Sequence, residues 1–292
     1  ERGGKKKILL CTNFVFSKFY TMDRSLADSF FAPWKDRISH FKDYWSIVEL
    51  NYRSKEKFLQ YLHELANNYD AEYILRPHPS EDILFYEKWL NDQSQKIQTS
   101  VTIDKSSAIW DLIVDSDLEI ACETCTTTIE SWLCGVPTIE LIFDKHPLFY
   151  NEEIAKLTLT CDTSTEITKI ASDILENGDQ DHSVARNNHF LKWCHTKDGD
   201  SSFKMSSIIK EMVSTVTPDF SNISIPDIRR GLKLLALNKL NLPYNYNPFL
   251  HLPKILYGNK FTLKKKVYEK TIRPDDVKKE IIRCSNLIKG IQ

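Results

Sequence analysis

The strongest constraint on the fold is the alternation of short apolar runs with segments that favour helices. The apolar runs lie in KKKILLCTNF, AEYILRPHP, LEIAC and PTIEL, and polar residues or prolines bound them. Short continuous apolar runs are typical of strands buried on both faces of a parallel sheet. The segments between them are short and mostly helical in pattern. The sequence therefore predicts an α/β fold, a doubly wound parallel sheet with helices on both faces.

The connecting segments give the predicted helices. In SKEKFLQYLHELANNYD, the apolar residues Phe58, Leu59, Leu62 and Leu65 share one helical face, and Ser54 is the expected N-cap. Mainly helical structure is predicted after Pro147, including STEITKIASDILENGD, which is expected to end near Gly178. Other predictions are helices at residues 82–91, 106–117 and 127–135, a short strand within 97–103, and a helix from 227 to 240.

The charge is distributed unevenly along the chain. Residues 218–292 carry 15 Lys plus Arg against 6 Asp plus Glu, although the whole chain has a net charge of -1. We therefore expect a Rossmann-like nucleotide-sugar-binding domain at residues 1–217 and a mainly helical, basic extension at residues 218–292. A basic segment of this kind permits peripheral contact with anionic lipid at the inner membrane. Nucleic acid is not an expected partner, because no nucleic-acid-binding motif accompanies the charge.

The cysteine content and the hydropathy favour a cytoplasmic protein. The seven cysteines are an odd number spread along the chain, which does not suggest a disulfide framework. Cys122 and Cys125 form a CxxC pair without a second pair at zinc-finger spacing, and we expect both to be buried thiols. No apolar run reaches the roughly 18 residues that a membrane-spanning helix needs.

Two predicted loops at strand ends carry candidate functional residues. In an open parallel sheet, ligands bind beyond the carboxyl ends of the strands. The first loop reads Arg76-Pro77-His78-Pro79, in which two prolines hold His78 rigidly. A rigid imidazole beside an arginine suits the stabilisation of a phosphate leaving group, so His78 is the expected catalytic residue and Arg76 an expected phosphate ligand.

The second loop carries Thr126, Thr127 and Thr128 ahead of a predicted helix, with Glu130 in its first turn. A helix N-terminus exposes unpaired N–H groups, and hydroxyls there can donate to a bound phosphate. Glu130 can accept from a ribose diol. The alternatives are that one threonine caps the helix while the others are bystanders, and that Glu130 only complements the helix dipole.

Two further segments can complete the same pocket. Asn13 and Lys18 follow the first strand, and we expect them to reach the nucleotide. The segment KDGDSS runs from Lys197 to Ser202 and predicts a turn followed by a helix that begins near Ser201. Such a turn offers an anion site or serves only as a cap. The two aspartates in it have the spacing of a DxD metal motif, but they fit the turn better.

RPHP, TTTIESWLCGVPTIEL and DGDSS, in this order within an α/β body, resemble the nucleotide-binding C-terminal half of GT-B glycosyltransferases of bacterial surface-carbohydrate biosynthesis. The similar families are capsule and lipopolysaccharide transferases that use CMP-activated ulosonic acids, including Kdo and sialic-acid-type donors, and CDP-glycerol polymerases. The resemblance covers about residues 5 to 216. It departs from the sialyltransferase-like pattern in having threonines where those enzymes have serines.

The resemblance implies a role for each motif. The HP dipeptide and the hydroxyl pair of those families hold the nucleotide phosphate, which matches His78 and the three threonines. The acid that follows faces the ribose and matches Glu130, and a DGxxS segment matching the one with Ser201 and Ser202 closes the pocket. The resemblance also implies transfer of a sugar, with CMP as the expected nucleotide, to a glycan or glycolipid acceptor, with neither a metal nor a further cofactor.

A GT-B enzyme has two Rossmann-like halves, and the sequence supplies strands for one. We therefore expect an acceptor-binding half, and with it the catalytic base, to lie outside this chain. Two other functions stay open at this point. One is a nucleotide-sugar epimerase of the same architecture, and the other is a non-catalytic module that binds a partner or a membrane through the basic extension.

Overall fold

The computed structural model describes residues 4–178, 182–194, 200–215, 224–240 and 242. The chain divides into two units, Glu1–Ser206 and Ser207–Gln292. The described part of the first unit contains one sheet of six strands: β1 (Lys7–Cys11), β2 (Glu72–Arg76), β3 (Val101–Ile103), β4 (Leu118–Cys122), β5 (Thr138–Leu141) and β6 (Leu159–Cys161).

The sheet is parallel throughout, and its strand order is β3-β2-β1-β4-β5-β6. Leu9 of β1 is level with Ile74 of β2 on one side and with Glu119 of β4 on the other. The chain thus builds one half of the sheet outward from β1 to β3, and then returns to the other side of β1 to build the second half. The point where the order reverses lies between β1 and β4, and ligands of open α/β sheets bind outside the strand ends at such a point.

α-Helices lie between these strands and follow the last of them. In the described residues they are α1 (Arg24–Phe31), α2 (Tyr44–Asn68), α3 (Ile83–Asn91), α4 (Gln95–Ser100), α5 (Ile109–Val114), α6 (Thr127–Leu133), α7 (Glu152–Ala155), α8 (Ile167–Asn177), α9 (Ser183–Trp193), α10 (Ser201–Thr215) and α11 (Ile225–Lys239). None of the described helices is both long enough and apolar enough to cross a membrane.

Both faces of the sheet are covered, as the apolar runs predict. Successive side chains of a strand point to opposite faces. Ile8 and Leu10 therefore pack with α2 and α8 on one face, whereas Leu9 and Cys11 pack with Leu112 of α5 on the other. The predicted doubly wound α/β fold is confirmed.

Some predicted boundaries were wrong. Helix α2 begins at Tyr44, well before Ser54, and its cap is Asp43, whose carboxylate accepts from the Ser46 N–H at 3.4 Å. Ser54 is buried inside the helix. The helix extends further because Tyr44 and Ile47 bury their side chains in a second apolar cluster with Phe31 of α1.

The predictions for the short edge strands were also incomplete. The segment at 97–103, predicted as a strand, is mostly the end of α4, and β3 takes up its last three residues. Strand β6 was not predicted, because its three residues, LTC, expose a polar side chain and continue no apolar run. Helix α8 was predicted correctly and ends before Gly178, which adopts φ +86°.

The second unit is described by residues 207–215, 224–240 and 242. Helix α11 confirms the helix predicted from 227 to 240, and Ser224 caps it in a capping box with Asp227. The predicted domain boundary between residues 217 and 218, and most of the predicted basic extension, lie outside the described residues and stay predictions.

Candidate functional site

Three loops meet at the carboxyl edge of the sheet, where β2, β1 and β4 end side by side. Neighbouring strands of a sheet lie about 4.8 Å apart, so the loops after these strands are close neighbours. Two hydrogen bonds link them in sequence. The backbone N–H of His78 donates to the hydroxyl of Thr12 at 3.3 Å, and the side-chain amide of Asn13 donates to the carbonyl of Glu123 at 3.2 Å.

The loop after β2 holds His78 in one defined orientation. Its ring Nδ1 accepts a hydrogen bond from the backbone N–H of Ser80 at 3.1 Å. A neutral imidazole whose Nδ1 accepts carries its proton on Nε2. The half-buried ring therefore presents a donor at Nε2. This is the form that a residue needs if it is to donate to a phosphate oxygen.

Lys18 also joins the loop after β1 to the loop that carries His78. Lys18 donates to the carbonyl of Ser80 at 3.2 Å, which is a further link between the two loops. Asn13 and Lys18 were both predicted to reach the pocket. The structure places them at the edge of the sheet beside the loops that carry His78 and Glu123.

Arg76 is the last residue of β2, and its guanidinium already has an anionic neighbour. Its Nη1 atom donates to the carbonyl of Asp104 at 3.1 Å and lies 3.5 Å from the carboxylate of the same residue. Both side chains are largely buried. The positive charge of Arg76, which the sequence suggested for binding a phosphate, is thus partly neutralised by Asp104.

The three threonines differ in their surroundings. Thr126 is exposed and precedes α6, but its side chain makes no capping hydrogen bond. The hydroxyl of Thr127 is buried, and no donor or acceptor of the described residues meets it with good geometry. Thr128 has no exposed surface and donates to the carboxylate of Glu140 at 3.4 Å. The structure therefore brings one threonine hydroxyl to the surface and turns the other two inward.

The loop after β4 has an unusual backbone. Glu123 and Thr124 both have positive φ, +58° and +52°, although neither is a glycine. Side chains with a branched β-carbon, such as that of Thr124, rarely adopt this conformation, and such strain occurs preferentially at functional sites. The Thr124 N–H donates to Glu140 at 2.8 Å, and its hydroxyl donates to the carbonyl of Phe149 at 3.0 Å.

Three buried carboxyl groups lie in this loop and in the strands β4 and β5. Burial raises the pKa of Glu123 to about 8, and nearby Ser54 opposes that rise. Burial likewise raises the pKa of Glu140 to about 8, against the hydrogen bond from Thr124. Burial raises the pKa of Glu119 to about 7, although the hydroxyls of Thr127 and Ser131 lie near enough to offset part of the rise. Neither oxygen of Glu119 has a well-aligned partner among the described residues.

Sequence reasoning missed these carboxyl groups, although the pattern contains a signal for two of them. Glu119 and Glu140 interrupt the apolar runs LEIAC and PTIEL at positions inside a strand. A charged residue within a run buried on both faces has to be neutral, paired or hydrogen-bonded. Glu123 carries no such signal, because it follows the strand and reads as an ordinary loop residue.

The remaining predicted residues are placed as follows. Glu130 lies half-buried in the first turn of α6, and burial raises its pKa. Ser201 begins α10, and its hydroxyl donates to the carbonyl of Cys194. Ser202 lies in the same turn, and its proposed contact stays a prediction. Asp198 and Gly199 lie outside the described residues. The thiols of Cys122 and Cys125 are free and buried, as predicted.

No protein-family model matches the sequence, and neither does any curated protein. Among solved structures, the chain is similar to the crystal structure of glycosyltransferase VinC in complex with dTDP, with 9% sequence identity and a TM-score of 0.39. The matched region covers 72% of this chain and 42% of that protein, so the chain spans less than half of the length of VinC.

Proposed function

We propose that this chain is the nucleotide-sugar-binding part of a glycosyltransferase, and that its site lies where the loops after β1, β2 and β4 meet. The observation that carries the proposal is the pair of hydrogen bonds that tie these loops together, from His78 to Thr12 and from Asn13 to Glu123. They link the two candidate loops that flank β1 at the point where the strand order reverses. A nucleotide bound there meets His78 from one side and Thr126 from the other.

In this proposal, His78 assists the departure of the nucleotide. When the bond between the sugar and the phosphate breaks, negative charge develops on the phosphate oxygen. The Nε2–H of His78 donates to that oxygen, and the imidazole is held for this purpose by the Ser80 N–H on Nδ1. Because the donor is fixed before the substrate arrives, little reorganisation is needed at the moment of reaction.

The other predicted residues have different roles in binding the nucleotide. Thr126 offers an exposed hydroxyl that capping does not use, and we assign it to a phosphate oxygen. Glu130 accepts from the ribose. Arg76 contributes less charge than the sequence suggested, since it also neutralises Asp104. We propose that the buried hydroxyls of Thr127 and Thr128 support the loop from within.

The proposed donor is a CMP-activated ulosonic acid, and the proposed acceptor is a glycan or glycolipid. Both rest on the resemblance of RPHP, TTTIESWLCGVPTIEL and DGDSS to the transferase families named above. Calorimetry with CMP, CDP, UDP and dTDP tests the donor. We expect CMP to bind more tightly than the other three, and the absence of binding by all four would contradict the proposed function.

Two substitutions separate the role of the imidazole from that of the turn. His78→Asn keeps an acceptor for the Ser80 N–H but removes Nε2, so we expect nucleotide affinity to fall by about ten-fold or more while stability changes little. His63→Ala is the matched control, because His63 is an exposed histidine of α2 that contacts Gln93. Equal affinities in His78→Asn and the wild type would remove His78 from the site.

A product assay distinguishes the transferase from the epimerase. When the chain is combined with its acceptor-binding half, incubation with a CMP-linked sugar and an acceptor should release CMP and elongate the acceptor. An epimerase would instead return an isomer of the same nucleotide sugar. A chain that binds none of the four nucleotides would favour the non-catalytic module.

A further inference from the structure

A single buried carboxylate, that of Glu81, receives hydrogen bonds from three different parts of the candidate site. Its Oε1 atom accepts from the Thr12 hydroxyl at 2.7 Å and from the Phe14 N–H at 2.9 Å, both in the loop after β1. The same atom accepts from the His78 N–H at 3.3 Å, and Oε2 accepts from the Tyr86 hydroxyl of α3 at 2.5 Å. Glu81 itself is 6% exposed.

Glu81 also closes the turn that carries His78. The backbone N–H of Glu81 donates to the carbonyl of His78 at 2.8 Å, while its side chain accepts from the His78 N–H. Both backbone groups of His78 are therefore bound by the same residue. Within the turn, the Ser80 N–H donates to the imidazole, so the position of the turn determines the position of the ring.

A buried lysine accompanies this carboxylate. Lys55 of α2 is 3% exposed, and its ammonium lies 3.9 Å from Oε2 of Glu81. The ammonium also lies over the rings of Phe85 and Tyr86, at 3.9 Å and 4.5 Å from their centroids. Burial lowers the pKa of Lys55, and the charge of Glu81 opposes that effect. The two charges thus compensate each other in an apolar setting.

Removing either charge alone leaves the other one buried without compensation, which is costly for a buried ion pair. Replacing both residues by uncharged side chains avoids that cost. Here the pair also determines the geometry of a site, because the carboxylate spans the loops after β1 and β2. Displacement of a reacting group by about 1 Å can reduce a rate a hundred-fold.

We propose that Glu81, held by Lys55, is a positioning residue that fixes the His78 imidazole against the phosphate of the nucleotide. This inference rests on the proposed function, because the position of His78 matters for catalysis only if the chain binds a nucleotide sugar. It adds a residue that touches neither the substrate nor the reacting atoms, and that acts through the backbone of His78 and the hydroxyl of Thr12.

The test compares Glu81→Gln, Lys55→Met and the double variant. A glutamine keeps an acceptor oxygen for the donors that meet Oε1 and removes the negative charge. A methionine keeps the length of the lysine stem and removes the positive charge. The double variant leaves no buried charge unpaired, so it should recover what each single change loses. Glu72→Gln is the matched control, because Glu72 is an exposed glutamate on β2.

The first readout is the NMR spectrum of the His78 imidazole together with its titration curve, measured without nucleotide. We expect Glu81→Gln and Lys55→Met to shift the ring signals and the titration midpoint, and the double variant to return them toward those of the wild type. The control should match the wild type. Unchanged His78 signals in Glu81→Gln would overturn the positioning role.

The second readout is the affinity for CMP, which separates this inference from the proposed function. A loss of about ten-fold in Glu81→Gln, with recovery in the double variant, supports both. If the wild type binds no nucleotide while Glu81→Gln still shifts the His78 signals, the proposed function fails and the positioning of the loop stands. If affinity falls without any change at His78, the positioning role is contradicted.

Thr12→Val keeps the test usable if Glu81→Gln does not fold. This substitution preserves the shape of Thr12 and removes the hydroxyl that accepts from His78 and donates to Glu81. The same shift of the His78 signals is expected. Its absence would overturn the proposal.

Discussion

The side-chain amide of Asn13 donates to the backbone carbonyl of Glu123 at 3.2 Å and so joins the loop after β1 to the strained loop after β4. We expect Asn13→Ala to lower the free energy of unfolding by about 1 kcal/mol, the usual value of one such bond. Nucleotide affinity should fall as well, because the two loops lose their direct link. Urea denaturation and calorimetry measure these effects.

Asn68→Ala is the control for that substitution. Asn68 is exposed at the end of α2, and its amide bonds Glu64 within the same helix. Its replacement should leave nucleotide binding unchanged. Asn13→Ala with wild-type affinity would show that the Asn13 amide does not shape the site.

The exposed and buried threonines should separate ligand binding from stability. Thr126→Ala removes an exposed hydroxyl that caps nothing, so we expect a change in stability below about 0.5 kcal/mol and a clear loss of nucleotide affinity. Thr128→Val removes a buried hydroxyl from Glu140, and we expect a loss of about 1 to 3 kcal/mol in stability. The opposite pattern, with Thr126→Ala unfolding the protein, would indicate a structural role for Thr126.

The buried carboxyls predict that stability decreases toward alkaline pH. Burial raises the pKa of Glu123 and that of Glu140 from 4.5 to about 8, so the folded state keeps protons that the unfolded chain releases. Between about pH 4.5 and about pH 8, the free energy of unfolding should decrease as pH rises, by up to about 1.4 kcal/mol per pH unit for each carboxyl. The contribution of these two carboxyl groups to the free energy of unfolding is fully present below about pH 4.5. It is lost as pH rises through about 8.

Urea denaturation at about pH 5.5 and at about pH 8.5 measures this dependence. Glu140→Gln stays neutral at both values and should reduce the difference between them. It keeps an acceptor oxygen for the Thr124 N–H. A wild-type protein of equal stability at both pH values would contradict the burial of these groups.

A buried chain of hydrogen bonds holds α6 against β5. The indole N–H of Trp132 donates to the hydroxyl of Thr138 at 2.8 Å, and that hydroxyl lies 2.6 Å from the hydroxyl of Thr158. Thr138→Val should cost about 1 to 3 kcal/mol, because the buried indole N–H loses its acceptor. Thermal or urea unfolding measures the loss, and Thr163→Val, which alters a hydroxyl bonded to the exposed Glu166, is the control.

The central strands were predictable because burial on both faces selects continuous apolar side chains. LEIAC forms β4 and TIEL of PTIEL forms β5, because short, mostly apolar runs of this length suit strands that are buried on both faces. Strand β6 lacked this signal, because Thr160 is exposed. The start of α2 was missed for a different reason: the aromatic residues near Tyr44 pack on a separate cluster, and their spacing follows that cluster.

Only part of the candidate site could be predicted. Prolines on both sides of His78 mark a rigid loop in the sequence, and threonines ahead of a helix mark a second one. Glu81 could not be recognised, because a carboxylate that accepts four hydrogen bonds and an exposed surface acid look alike in a sequence. The positive φ of Glu123 and Thr124, just ahead of the threonines, could not be predicted either, because neither residue is a glycine.

The central position of β1 has a consequence during synthesis. This strand precedes its partners in the chain, and the loops that close around it, at Asn13 and Glu123, are 110 positions apart. Until the ribosome has delivered β4, one edge of β1 has no neighbour in the sheet, and the unpaired N–H and C=O groups of that edge are open to other chains. Truncated products that stop before Leu118 should therefore associate with chaperones or precipitate. Chains that extend past Cys122 can pair both edges of β1 with neighbouring strands.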